Sequence, residues 1–310
     1  MIRRFLTLLG FAVLLTACGG QSASNSGTPF DQAQGKSAPV ILTSTTFLAD
    51  MTRNITGDRV RVESLLPVGT DPHEYQPVPS DVQKIAKSTV LIVNGLEYDQ
   101  FIQPLLNNAG GTRLVITASD GLEARQMKEE NGKMVIDPHM WMDPTRIIKY
   151  GENIREGLAK ADPDGADVYK TNADVYISQL KEVDAWITQQ VAQIPEERRL
   201  LVTNHDSLGY FADHYGFKVI GTIVPGVSSE AAPSAQQIAA LIDEIKSTGA
   251  PAAFLNVSDN PHLADQIATE TDIKVVTDLY IETLSASDGP AATYIDMMKY
   301  NVTQIVNALK

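Results

Sequence analysis

The chain has 310 residues, 38 acidic against 25 basic side chains, a formal net charge of -13 and a single cysteine. That balance excludes a nucleic-acid binder, because phosphate contacts need a basic footprint. One thiol cannot cross-link a fold in an oxidising compartment. The acidity suits a cationic solute, and it serves plain solubility equally well.

The first segment has the pattern of a leader. Arg3 and Arg4 precede an apolar run over 5–15, about eleven residues and too short to span a bilayer. The run ends in Leu15-Thr16-Ala17-Cys18, which resembles a bacterial lipobox. Residues 1–17 are therefore expected to be a signal peptide, with Cys18 as the lipidated first residue of the mature chain. Residues 18–38 are mostly small and polar, the composition of a flexible tether. No later apolar run is long enough to cross a membrane. The expectation is a soluble domain held by lipid on the extracytoplasmic side, at the periplasmic face or outer surface of the cell membrane.

From residue 39 onward, strand-like runs alternate with helical patterns. Runs at 40–42, 60–66, 90–93 and 113–116 form one group, and runs at 199–203, 218–224, 252–257 and 273–278 a second. Both are rich in Val, Ile and Leu, as strands buried on both faces are. Helical patterns lie between them at 80–87, 100–107, 235–246 and 262–270. This alternation predicts an α/β fold of two lobes, each with a mostly parallel four-stranded sheet. Between the groups, Tyr169, Ala173, Tyr176, Leu180, Val183, Ile187, Val191 and Ile194 recur at steps of three and four. They predict one continuous helix, roughly 40 Å long at 1.5 Å per residue. The expected division is an N-terminal lobe over 39–165, a linking helix over 166–195 and a C-terminal lobe over 196–310. A last helix carries Ile295, Met298, Val302, Ile305, Val306 and Leu309 on one stripe.

Five histidines occur: His73, His139, His205, His214 and His262. Two follow the same dipeptide, in Asp71-Pro72-His73 and Asp137-Pro138-His139, and His205 follows the strand pattern at 199–203. Proline fixes its own φ and restricts the residue before it, so each of the first two emerges from a constrained turn. A ligand imidazole needs a partner to set its tautomer, and Asp71, Asp137 and Asp206 are placed to supply one. Each could equally form a turn or cap a helix. In α/β lobes, loops beyond the carboxyl ends of strands gather ligands, and all three histidines fall in such loops. His73-Glu74 lacks the second histidine of H-E-x-x-H, and neither a Walker loop nor a G-x-S-x-G elbow is present. With one cysteine, Cys-based zinc sites are excluded.

Several motifs in fixed order carry a resemblance. They are Gly69 to Tyr75 with Pro77 and Pro79-Ser80-Asp81; Asn94-Gly95-Leu96-Glu97; Asp137-Pro138-His139 through Asp143-Pro144; His205-Asp206 with Gly209-Tyr210-Phe211; and Met297-Met298-Lys299-Tyr300-Asn301. On these the chain resembles the cluster 9 (A-I) metal-binding lipoproteins of bacterial ABC importers, which carry zinc, manganese or iron. The resemblance spans nearly everything after residue 39. It implies two α/β lobes joined by one long helix, with a metal between them. It implies His73 and His139 as ligands from the first lobe, His205 from the second, and a carboxylate in Leu279-Tyr280-Ile281-Glu282-Thr283-Leu284. Glu282 stands where the family usually has Asp, with Asp278 as the alternative. His214 and His262 are expected to be bystanders.

Three imidazoles and a carboxylate suit Zn(II) first, with Mn(II) or Fe(II) as alternatives. The absence of histidine from 121–137, where zinc transporters of the family carry a His-rich loop, weakens zinc without reversing the order. Four protein ligands leave no open position for activated water, so capture is expected, not catalysis. The implied partner is an ABC membrane permease and the expected state a monomer. A membrane-anchored metal-dependent hydrolase and an adhesin are the alternatives from other classes.

Overall fold

The computed structural model describes residues 38–128 and 132–310. The leader over 1–17, Cys18 and the tether up to residue 37 lie outside the described residues, as does 129–131 within the histidine-free loop. Strands β1 (Ile41–Thr43), β2 (Val62–Ser64), β3 (Val90–Val93) and β4 (Leu114–Thr117) form a parallel sheet in the order β2-β1-β3-β4. A small antiparallel hairpin follows, β5 (Gln126–Lys128) with β6 (Met134–Ile136). Strands β7 (Leu200–Thr203), β8 (Lys218–Thr222), β9 (Ala252–Asn256) and β10 (Lys274–Leu279) form a second parallel sheet in the order β10-β9-β7-β8. Among the described residues no helix is long and apolar enough to cross a membrane.

Helices pack on both faces of each sheet, and the inner strands β1, β3 and β7 accordingly read as mostly apolar runs. In the first, Ile41, Val90, Ile92 and Ile116 pack with α1 (Thr46–Thr56) and α4 (Pro144–Ala161). The alternate residues Leu42 and Leu91 pack with α2 (Pro79–Lys87) and α3 (Ile102–Ala109) through Ile85, Ile102 and Leu105. In the second, Val202, Ala253 and Leu255 meet α7 (Ala235–Thr248) and α8 (His262–Thr271). Leu201, Ala252 and Phe254 belong instead to the cluster holding α6 (Gly209–Tyr215) and α9 (Tyr294–Leu309).

The long helix α5 runs Ala166–Val191, 26 residues and so about 39 Å. Its buried residues are Tyr169, Ala173, Tyr176, Leu180, Val183, Ile187 and Val191, and they join the cluster that reaches both sheets. The helix stops short of the expected end because Pro195 disfavours helical backbone at the residue before it. Ile194 lies beyond the helix and is still buried.

Helices α1 and α4 fall outside the helical patterns read from the sequence. α1 does carry an apolar stripe at helical spacing, Phe47, Leu48, Met51 and Ile55, and the polar Asp50 and Thr52 are buried beside it. α4 starts at Asp143-Pro144, where the Asp143 carboxylate accepts a hydrogen bond from the Thr145 N–H at 2.9 Å and Pro144 occupies the first turn. The end of the motif around His139 is thus also a helix start. At Gly157, α4 passes so close to β4 that a Cβ would fall 2.3 Å from Ile116 Cδ1. Gly157→Ala is expected to destabilise the protein by about 1–3 kcal/mol through overpacking. The check is a lower urea midpoint at unchanged slope.

Candidate metal centre

Four loops converge. His73 lies between β2 and α2, His139 just before α4, His205 after β7 and Glu282 after β10. One nitrogen from each histidine and one oxygen from Glu282 all lie within 4.8 Å of one another. His139 Nε2 is 3.3 Å from His205 Nε2 and 3.3 Å from Glu282 Oε1, and His205 Nε2 is 3.2 Å from the same oxygen. Ligands held tetrahedrally at about 2.0–2.1 Å from one cation are separated by about 3.3 Å. Glu282 Oε1 and His73 Nε2 are buried without a hydrogen-bond partner, an arrangement that a cation would satisfy. His139, His205 and Glu282 are almost fully buried, and His73 is half-buried. Asp278 is not in the cluster. It is exposed on β10 and accepts a hydrogen bond from the Tyr300 hydroxyl.

The surrounding shell divides the three aspartates. Asp137 Oδ1 sits 2.8 Å from His139 Nδ1 and also accepts the His139 backbone N–H at 3.0 Å, so it orients that ring. Asp71 accepts the His73 backbone N–H at 2.8 Å and is not bonded to the His73 ring. Its other oxygen accepts from the Ser229 hydroxyl at 2.6 Å, joining the two halves of the fold. Asp206 faces Arg125 at 3.5 Å, not an imidazole, and the same guanidinium reaches Asp137 at 3.3 Å and Asp213 at 3.1 Å. Of the remaining histidines, His214 packs on Tyr215 at 4.4 Å and lies between Asp143 and Asp184, and His262 is exposed at the start of α8.

Residues 41–308 match the family model of ZnuA, the periplasmic component A of a zinc-uptake complex. The chain belongs to the ZnuA family. It is 34% identical over 302 residues to the manganese-binding lipoprotein MntA of Halalkalibacterium halodurans, covering 97% of this chain and 96% of that one. It is 28% identical over 310 residues to the manganese ABC transporter substrate-binding lipoprotein PsaA of Streptococcus pneumoniae, covering 98% and 97%. Among solved structures, the periplasmic zinc binding protein TroA from Treponema pallidum matches with a TM-score of 0.81 at 27% identity, over 87% of this chain and 99% of that one. The Mn-bound periplasmic metal binding protein from Candidatus Liberibacter asiaticus matches with a TM-score of 0.78 at 29% identity, over 88% and 100%. This ZnuA-family chain is a metal-binding, substrate-binding protein of an ABC importer and not an enzyme.

The electrostatics of this ZnuA-family centre are those of a cation site. Burial pulls the His73 imidazole down to about 3, against the attraction of Glu282, so it is neutral and ready to donate. Burial opposes charge on His139 as well, but the Glu282 and Asp137 carboxylates outweigh it and push that ring up to about 10. Burial likewise opposes the Glu282 charge, and His139 with its neighbours holds that carboxyl well below the usual range. In the metal-free protein a buried proton on His139 thus faces a buried carboxylate.

Three further residues complete the surroundings and had no place in the sequence reading. Tyr98 donates its hydroxyl to Glu282 Oε2 at 2.6 Å. Trp141 donates Nε1–H to the carbonyl of Ile281, the neighbour of Glu282, at 2.8 Å. Arg125 gathers the acids behind His139. Trp141 lay inside a quoted motif and Tyr98 directly after one, which is the signal that could have found them.

Proposed function

We propose that the protein captures zinc on His73, His139, His205 and Glu282 and hands it to an ABC permease. In this reading Cys18, as the lipidated first residue, keeps a monomeric domain at the extracytoplasmic membrane surface. The lobes over 39–165 and 196–310, linked through 166–195, supply two ligands each. What supports the cation is the meeting of four ligand atoms within 4.8 Å. What supports zinc is the donor set, since three imidazoles and one carboxylate are poor in oxygen for manganese. The names of MntA and PsaA favour manganese as the second reading.

The test is a titration of metal-free protein with zinc against a chelator of known affinity, repeated with manganese. One tight zinc equivalent is expected. Its affinity is expected to fall steadily as the pH drops below about 10, because the His139 ring, pushed up to about 10 in the metal-free protein, must lose its proton before it can bind. Tight manganese binding without zinc binding would transfer the cargo to manganese. Binding of neither metal would end the capture reading.

A further inference from the structure

We propose that Tyr98 is a positioning residue that sets metal selectivity, holding Glu282 to a single donor oxygen and so favouring a four-ligand zinc centre over manganese. The inference rests on the ligand set proposed above. Its basis is the unequal employment of the two Glu282 oxygens. Oε2 accepts the Tyr98 hydroxyl at 2.6 Å in a buried hydrogen bond. Oε1 lies 3.3 and 3.2 Å from the Nε2 atoms of His139 and His205 and has no hydrogen-bond partner. A carboxylate bound this way offers one oxygen to a cation, and to offer both it must give up a short, charge-assisted bond. Three imidazoles and one oxygen make the tetrahedral N/O set of zinc, whereas manganese favours octahedral, oxygen-rich coordination. A glutamate has one more rotatable bond than an aspartate, and Tyr98 removes that freedom.

The chain positions Tyr98 at a cost in backbone conformation. Gly95, Leu96 and Glu97 have φ of 88°, 55° and 64°, a left-handed run in which two residues carry a Cβ. Such backbone persists only where its surroundings over-determine it, and it concentrates at functional sites. Here the surroundings do so. Buried Asn94 donates to the Pro138 carbonyl at 3.2 Å and accepts from the Tyr150 hydroxyl at 2.7 Å. The Gly95 N–H donates to Asp99 Oδ2 at 2.7 Å. Pro138 precedes His139, so the turn that aims Tyr98 is tied to the backbone beside a ligand. The phenol ring is enclosed by Trp141 at 4.7 Å and His73 at 5.4 Å.

Tyr98→Phe in the otherwise unchanged protein tests the proposal, with zinc and manganese affinities from chelator competition and the visible spectrum of the cobalt(II) form. Zinc affinity is expected to fall roughly tenfold or more, the usual effect of losing a partner of a metal ligand. Manganese affinity is expected to change less, so the zinc-to-manganese ratio falls. The intense absorption of four-coordinate cobalt is expected to weaken towards that of higher coordination. Glu282→Asp with Tyr98 retained probes the same bond from the other side, and the two substitutions are expected to be non-additive. Equal losses for both metals with an unmoved cobalt spectrum would overturn the role of Tyr98 alone. Absence of metal binding in the unsubstituted protein would overturn the ligand set and this inference with it.

Discussion

His139→Ala is expected to lower zinc affinity about 100- to 1,000-fold. Four-ligand zinc sites bind with roughly 10–16 kcal/mol, so one ligand in four contributes about 3–4 kcal/mol, or two to three decades. The effect at His139 should reach the upper end because this ring is also the one that Asp137 orients, at 2.8 Å from Nδ1. The metal-free variant is expected to be less stable as well. Removing the imidazole leaves Glu282 and Asp137 buried without their cationic partner, and breaking a buried pair costs about 3–5 kcal/mol. The protein should nevertheless fold, since Tyr98 still donates to Glu282 and Arg125 still pairs with Asp137. Chelator competition measures the first effect and a urea transition the second. Unchanged zinc affinity would remove His139 from the centre.

Trp141→Ala is expected to cost about 3–5 kcal/mol of stability, the range for emptying a large buried aromatic site. Trp141 is fully buried and stacks on Phe47 with ring centroids 4.6 Å apart. Its indole N–H holds the Ile281 carbonyl, and its own carbonyl accepts the Tyr294 hydroxyl at 2.7 Å. It therefore ties the turn after His139 to two segments of the C-terminal half. Trp141→Phe separates volume from polarity: it keeps most of the packing but orphans a buried carbonyl, at about 1–3 kcal/mol. Because that carbonyl belongs to the residue before Glu282, both variants should also weaken zinc binding. A shift in urea midpoint worth less than about 1 kcal/mol for Trp141→Ala would mean that the site repacks around the loss.

The two Asp-Pro-His turns show where local information ends. Both aspartates accept the backbone N–H of the histidine two residues on, at 2.8 Å for Asp71 and 3.0 Å for Asp137. That bond is a property of the tripeptide and was open to reading. Only Asp137 also reaches its imidazole, while Asp71 turns to Ser229, 158 residues away in sequence. The identical local sequence leaves the ring orientation free, and packing from distant segments chooses it.

By itself the sequence determined the features that repeat along the chain or depend on near neighbours. The α5 stripe is a period of three and four residues, and β1, β3, β4 and β7 are mostly Val, Ile and Leu, so both were visible without coordinates. The family resemblance added the candidate ligands. Tertiary structure alone decided what depends on contacts without a local period: Tyr98 meeting Glu282 across 184 residues; the indole of Trp141 against Ile281; and the position of Glu282, and not Asp278, beside the three histidines. Those contacts arise because loops at the ends of two separate sheets face one another. No pattern within either loop encodes which side chain of the other it will meet.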